Sequence, residues 1–244
     1  MNNTNEPQNK PTGPQPEFVK DIFSSIAGTY DKANDVITMG MARDWRKKLV
    51  SWSGAKAGQK VLDCATGTGD LAIDFKRAVG AAGSVLGTDF CKEMLDFAPA
   101  KAQAEDLEIK FEVADAMNLQ YESNTFDVTS ISYGIRNVQD PKVALKEMAR
   151  VTRPGGHVMI LETGVTRVPL LKSAIGLYFR RIVPRLGGWV SGKRQAYEYL
   201  NRSSLAFPSG EAFCEMMRST EAFDIVEYKS IMGGASFIYK GRVK

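Results

Sequence analysis

Three aspartates and two glycines carry the first chemistry in this sequence of 244 residues. Asp63 follows the apolar pair Val61-Leu62, as the tip of a buried strand would, and the chain continues Cys64-Ala65-Thr66-Gly67-Thr68-Gly69-Asp70. Glycine at 67 and 69 lets the backbone turn tightly and approach a ligand where side chains would obstruct it. A helical pattern over 71–79 then puts a helix N-terminus behind the turn. Asp89 closes a second buried run, 84–89, and Asp115-Ala116 follows a third, 109–113. Acids at successive strand ends share the carboxyl edge, where doubly wound sheets bind ligands. A nucleotide-like cofactor is the first expectation.

Two cofactors compete. Gly67 to Ala72 fits G-x-G-x-x-A and Asp89 lies 22 residues beyond Gly67, close to a dinucleotide fingerprint. An NAD-dependent oxidoreductase is therefore one reading. Against it, Asp63 just before the first glycine would repel a pyrophosphate, and Asp115 adds a further polar group at the same edge. S-adenosylmethionine has no phosphate and carries a sulfonium and an ammonium, which favour nearby carboxylates. Asp89 is placed to accept two ribose hydroxyls, Asp115 with the Ala116 backbone to hold an adenine, and Asp63 to act at longer range or orient the turn. Each acid taken alone would more commonly be a helix cap or a solvated loop residue.

The elements that must position these residues follow from periodicity. Strands are expected at 60–63, 84–89, 109–113, 126–132 and 157–161. Helices are expected at 71–79, 93–103 (interrupted by Pro99) and 141–150, with a turn at 153–156 leading into the fifth strand. This alternation argues a parallel, doubly wound α/β sheet. A helix near 210–218 and strands at 225–230 and 236–240 follow, with Gly233-Gly234 suggesting a tight antiparallel connection. Residues 1–17 carry no aromatic or β-branched apolar side chain and are expected to be a disordered tail. Residues 18–244 then form one domain, with an N-terminal helical lid (18–52) and an amphipathic insertion (165–208). The apolar run 168–190 within that insertion carries Lys172, Arg180, Arg181 and Arg185. It reads either as a helix with solvated cations or as a substrate cover meeting a membrane surface.

Composition bounds the rest. Hydrophobic residues make up 43% and charged residues 25%, ordinary for a globular protein. A net charge of +4 suits anionic ligands or an anionic membrane surface, and no stripe of interleaved aromatics and cations argues nucleic acid. Cys64, Cys91 and Cys214 are isolated, so neither a disulfide framework nor a metal site is expected, and a reducing, cytoplasmic setting is. No signal peptide and no spanning segment stand out. His157, within a strand and remote from the carboxyl edge, reads as structural.

The motifs resemble those of the class I methyltransferases, and more closely the bacterial quinone C-methyltransferases of menaquinone and ubiquinone biosynthesis. The resemblance runs from Phe23 to Arg242. It rests most on F-x-x-I-A-x-x-Y-D-x-x-N-D from Phe23 to Asp35 and on Ile131-Ser132-Tyr133-Gly134-Ile135-Arg136-Asn137-Val138. Thr66-Gly67-Thr68-Gly69 and Pro154-Gly155-Gly156 are shared more widely, and Thr66 stands where glycine is usual. The resemblance implies a Rossmann-like, seven-stranded sheet with an antiparallel closing strand. It carries cofactor contacts to Thr68, Asp89, Asp115, Ala116 and Ser132, beside Gly67, Gly69 and Asp63.

The implied reaction is methyl transfer to a ring carbon of a reduced polyprenyl quinone, with no metal. Such chemistry needs in-line positioning and a group that stabilises a phenolate. Arg136 is expected to stabilise that oxyanion or to orient a water that takes the proton, with Asn137 aligning it. The alternative is that Arg136 pairs with a structural carboxylate. Tyr30, Asp31 and Tyr199 are expected at the lid and substrate wall, and Phe207-Pro208 leans toward the menaquinone branch. The partners implied are a lipophilic quinol and a transient, peripheral membrane contact, with a homodimer left open. A nicotinamide-dependent oxidoreductase and a non-catalytic cofactor-binding module are the readings from other classes.

Overall fold

Apolar runs that alternate with helices must bury both faces of a sheet, and the central strands do, while the edge run at 110–113 stays largely exposed. The computed structural model describes residues 13–164, Arg185 and residues 192–244. β1 (Lys60–Cys64) lies at the centre, with every residue after Lys60 buried. It pairs in parallel with β2 (Ser84–Asp89) on one side and β4 (Phe126–Ser132) on the other. β3 (Lys110–Val113) extends the β2 edge in parallel, and β5 (Thr152–Thr163) extends the β4 edge. The chain then returns as a hairpin, β6 (Phe223–Ile231) and β7 (Ser236–Val243), whose second strand inserts antiparallel beside β5. The seven-stranded order is β3-β2-β1-β4-β5-β7-β6.

Parallel strands need crossovers, and the helices supply them. α4 (Asp70–Val79) begins directly after Gly69 and stops at Gly80, buries Leu71, Ala72, Phe75 and Val79, and packs on β1 and β2. α7 (Pro141–Val151) starts with Pro in its first turn, where its missing N–H is no loss, and Asp140 caps it by accepting from the Lys142 and Val143 amides. α9 (Glu211–Arg218), preceded by α8 (Arg194–Ala206), puts Phe213, Cys214 and Met217 on the other side of the hairpin.

Among the described residues, α1 (Pro16–Ile26), α2 (Tyr30–Thr38) and α3 (Met41–Ser53) precede the sheet. The first helix among the described residues begins at Pro16, two residues before the expected start at Phe18, because proline is well suited to a helix's first turn. The single helix expected over 93–103 is two, α5 (Lys92–Leu95) and α6 (Ala98–Gln103), because Pro99 opens the second and could not sit inside a continuous one. β5 begins at Thr152 rather than after the Pro154-Gly155-Gly156 turn. Phe126 pairs with Thr152 and Val128 already with His157, so the turn residues form an irregularity within the strand. The insertion 168–190, including Lys172, Arg180 and Arg181, lies outside the described residues apart from Arg185. Among the described residues no helix is long and apolar enough to cross a membrane.

Candidate active site

The carboxyl ends of β1, β2 and β4, with the Asp115 turn after β3, rim a cavity of about 820 Å³ including its mouth. Gly67, Asp89, Asp115, Ala116, Ser132 and Asn137 all line it. Its far wall is α1, through Pro16, Val19 and Phe23, together with Tyr30 from α2. Gly13 fastens the start of that wall, donating its amide to the Gln139 carbonyl at 2.8 Å.

Asp89 is held by two backbone amides: Oδ2 accepts from Gly67 and Oδ1 from Cys91, each at 2.8 Å. Burial pushes its pKa up to about 6, against the lowering effect of those amides. Gly67 has a left-handed φ of 57°, and a Cβ there would meet the Met94 methyl at 3.4 Å. Two hydroxyls offered to Asp89, beside a backbone free of side chain at Gly67, fit the ribose of S-adenosylmethionine. A pyrophosphate would instead set negative charge against Asp89 and Asp115. Asp115 orders its own turn by accepting from the Met117 amide at 2.8 Å.

Three of the expected cofactor contacts, Asp63, Thr68 and Gly69, do not line this cavity. Asp63 is buried beneath the turn, where its two oxygens accept from Thr66 Oγ1 and Ser130 Oγ at 2.6 Å each. Burial raises its pKa to about 7. It shapes the turn from behind through Thr66. Thr68 is buried on the far side of the turn, donating to Asp31 at 2.6 Å, and Asp31 also accepts from Lys101 Nζ at 2.7 Å. Asp31 thus ties α2 to the glycine turn rather than facing substrate. Gly69 (φ 87°) accommodates α6, since a Cβ there would lie 2.9 Å from that of Ala98.

A second cavity, about 1330 Å³ with its opening, lies between the N-terminal helices, α8 and the β6–β7 turn. Its lining is chiefly apolar and aromatic: Ile37, Met39, Met41, Trp45, Tyr197 and Leu200 are among its residues. Tyr30 and Tyr133 line both cavities, so the two meet at this tyrosine pair. Burial raises the pKa of both phenols, which keeps them neutral donors.

Arg136 enters the second cavity from the turn after β4. Its Nη1 donates to Glu162 Oε1 at 2.5 Å and to the Tyr133 carbonyl at 2.9 Å. Its Nε is buried without a hydrogen-bond partner among the described residues. Arg136 therefore pairs with a buried carboxylate, while its side chain still borders the second cavity. Asn137 Nδ2 donates to the Tyr133 carbonyl at 3.3 Å, and Tyr199 donates to Asn137 Oδ1 at 3.1 Å. Tyr199 lines neither cavity and supports Asn137 from α8.

Sequence reasoning did not single out Glu162, Tyr133 or Lys101 as site residues. The available signal was Glu162 closing the buried run Val158-Met159-Ile160-Leu161, since a buried acid demands a cation. His157 hydrogen-bonds to the Ser53 carbonyl at 3.0 Å, away from both cavities.

A model of the ubiE/COQ5 methyltransferase family matches residues 10–243. The chain belongs to that family. It is 56% identical over 231 residues to a ubiquinone/menaquinone biosynthesis C-methyltransferase of Bdellovibrio bacteriovorus, covering 95% of this chain and 98% of that one. It is 41% identical to a demethylmenaquinone methyltransferase of Deinococcus radiodurans, covering 84% of each. Among solved structures, an S-adenosylmethionine-dependent methyltransferase of Thermotoga maritima shares the fold with a TM-score of 0.66 at 18% identity, over 93% of this chain and all of that one. A Haemonchus contortus N-methyltransferase solved with S-adenosylhomocysteine also gives 0.66, at 17% identity, over 93% of this chain and 60% of that one. The chain is thus an S-adenosylmethionine-dependent methyltransferase of class I fold, and the nicotinamide reading falls.

Proposed function

We propose that this methyltransferase acts on a ring carbon of a reduced polyprenyl quinone, with demethylmenaquinol as first substrate and a methoxy-benzoquinol as second. The observation that carries this reading is the junction of the two cavities at Tyr30 and Tyr133, with Arg136 in the apolar one. A planar, lipophilic ring needs apolar walls, and its phenolate needs one buried cation.

Bound S-adenosylmethionine supplies an electrophilic methyl group. Asp89 would accept its ribose hydroxyls, and Asp115 with the Ala116 backbone would hold its base. Tyr30 and Tyr133, which line both cavities, would restrict how a ring can approach the methyl group, an orientation effect. Losing the quinol's phenolic proton to water makes the ring carbon nucleophilic, and after methyl transfer releases S-adenosylhomocysteine the ring carbon's own proton moves to the oxygen and restores the quinol. Arg136 is a poor base because its guanidinium stays charged. It instead stabilises the oxyanion left behind, and Asn137, held by Tyr199, keeps the Tyr133–Arg136 turn in place.

The test is incubation with methyl-labelled S-adenosylmethionine and reduced demethylmenaquinone. Label in the quinone ring is expected. A folded protein that binds cofactor but transfers no label to either quinol overturns the reading. Competition between the two quinols decides the branch.

A further inference from the structure

Two turns at the mouth of the second cavity expose methionine. Met39 follows α2 and Met232 follows β6, and both have left-handed backbone, with φ of 51° and 49°. That region is uncommon for residues other than glycine, asparagine and aspartate. Both side chains nevertheless stand in solvent, Met39 at 70% exposure and Met232 at 45%, while both line the cavity. Val36, on the last turn of α2, is exposed as well. Burial in the core does not account for this rim. Contiguous exposed apolar side chains mark a contact surface.

A shallow groove continues from the rim. It shares Met41, Trp45 and Met232 with the cavity and adds Lys47, Lys48, Trp52 and Lys229. The cations of α3 are not all alike. Arg43 pairs with Asp35, and Arg46 pairs with Asp70 at 2.8 Å. Lys47 and Lys48 are exposed and make no salt bridge among the described residues. Lys229 Nζ lies 4.3 Å from the Trp52 ring centroid. Asp44 is the one acid among the described residues lining the groove.

We propose that Met39, Met232, Trp52, Lys47, Lys48 and Lys229 form a face that docks the enzyme on an anionic lipid bilayer, with the cavity mouth at headgroup level. This rests on the quinol reading, since a polyprenyl tail leaving the cavity there would pass straight into the acyl layer. Charge complementarity and continuity with an apolar cavity select the occupant. A free anion would use the lysines and leave the methionines in water, whereas a bilayer takes both. Tryptophan belongs at the membrane–water boundary, and lysine reaches headgroups from an apolar surface.

The test is sedimentation of the full chain with vesicles of phosphatidylcholine alone or mixed with phosphatidylglycerol. Binding is expected to the anionic vesicles and to weaken with salt. The triple variant Lys47→Ala/Lys48→Ala/Lys229→Ala is expected to bind about 100-fold more weakly, from a contribution of about a factor of five per lysine. It should lose turnover of vesicle-embedded polyprenyl quinol in step, while turnover of a short-tailed, water-soluble quinol stays at the parent value. A triple variant that binds anionic vesicles as tightly as the parent overturns the proposal, as does a parent protein indifferent to phosphatidylglycerol. No methyl transfer to the soluble quinol would overturn the reading of function instead, and vesicle binding would still report on the face.

Discussion

Arg136 and Glu162 form a salt bridge in which both side chains are nearly sealed from water, at 7% and 1% exposure. Glu162 Oε1 also accepts from the Thr163 amide at 2.7 Å, so the acid is fixed before the arginine reaches it. Truncating one partner of such a pair leaves an uncompensated buried charge, costing about 3–5 kcal/mol. Glu162→Gln should therefore lower stability by about that amount in urea melts. Arg136→Ala should lower kcat by roughly 10²–10³-fold with little change in cofactor affinity, the scale of losing one oxyanion donor. Arg136→Lys should not restore the rate, because Nη1 alone makes the contacts to Glu162 and the Tyr133 carbonyl, and an ammonium held by those two leaves no planar guanidinium toward the cavity. An unchanged kcat in Arg136→Ala would remove the arginine from the chemistry.

Asp63 titrates unusually high, near 7, because burial penalises its charge more than Ser130 and Thr66 stabilise it. A folded value above the unfolded one, about 3.9, means that the neutral acid favours the folded state. That contribution is complete below about pH 4 and is lost as pH rises through about 7. Asp63→Asn keeps the shape without the charge, and serine or threonine hydroxyls can reorient to it. The variant should gain stability relative to the parent as pH rises from about 4 to about 7 and hold that gain above it, measured by paired denaturation curves. A pH-independent difference would show that Asp63 does not titrate in this range.

Asp89 is raised to about 6 by burial, and its two oxygens already accept backbone amides. Hydroxyl donors bind an ionised carboxylate more strongly than a neutral one. Affinity for S-adenosylmethionine should accordingly rise from pH 5 and level off above about pH 6.5, read by calorimetry. Asp89→Asn should bind roughly 10-fold or more weakly, by loss of charge-assisted hydrogen bonds of about 1.5–3 kcal/mol, and should show a flatter pH profile.

Lys101 on α6 reaches Asp31 on α2 at 2.7 Å and Thr68 in the glycine turn at 3.1 Å, and it also pairs with Asp70. It fastens α2 over the cofactor turn. Its partly exposed pairs are worth about 1 kcal/mol or less each. Lys101→Met should therefore raise the KM for S-adenosylmethionine a few-fold and leave kcat close to the parent. A fall in kcat alone would mean that the contact serves the second cavity instead.

The sequence by itself determined the alternation of strands and helices, the closing hairpin and the acids at the strand tips. These rest on local periodicity, glycine punctuation and chain direction. Asp89, Asp115, Ala116 and Ser132 reach one cavity because a parallel sheet gathers its strand ends on one edge. Tertiary structure alone decided which acids face that cavity. Asp63 sits on the same edge, yet Thr66 and Ser130 hold it beneath the turn. Asp31 is drawn to Thr68 and Lys101, 37 and 70 residues away. Arg136 finds its counter-charge 26 residues along, at the end of β5. Side-chain partners so distant in sequence are chosen by packing between elements, which periodicity within an element does not encode. For the same reason the second cavity was invisible in the sequence: its walls come from α2, α3, the turn after β4, α8 and the β6–β7 turn, and it exists only once those surfaces meet.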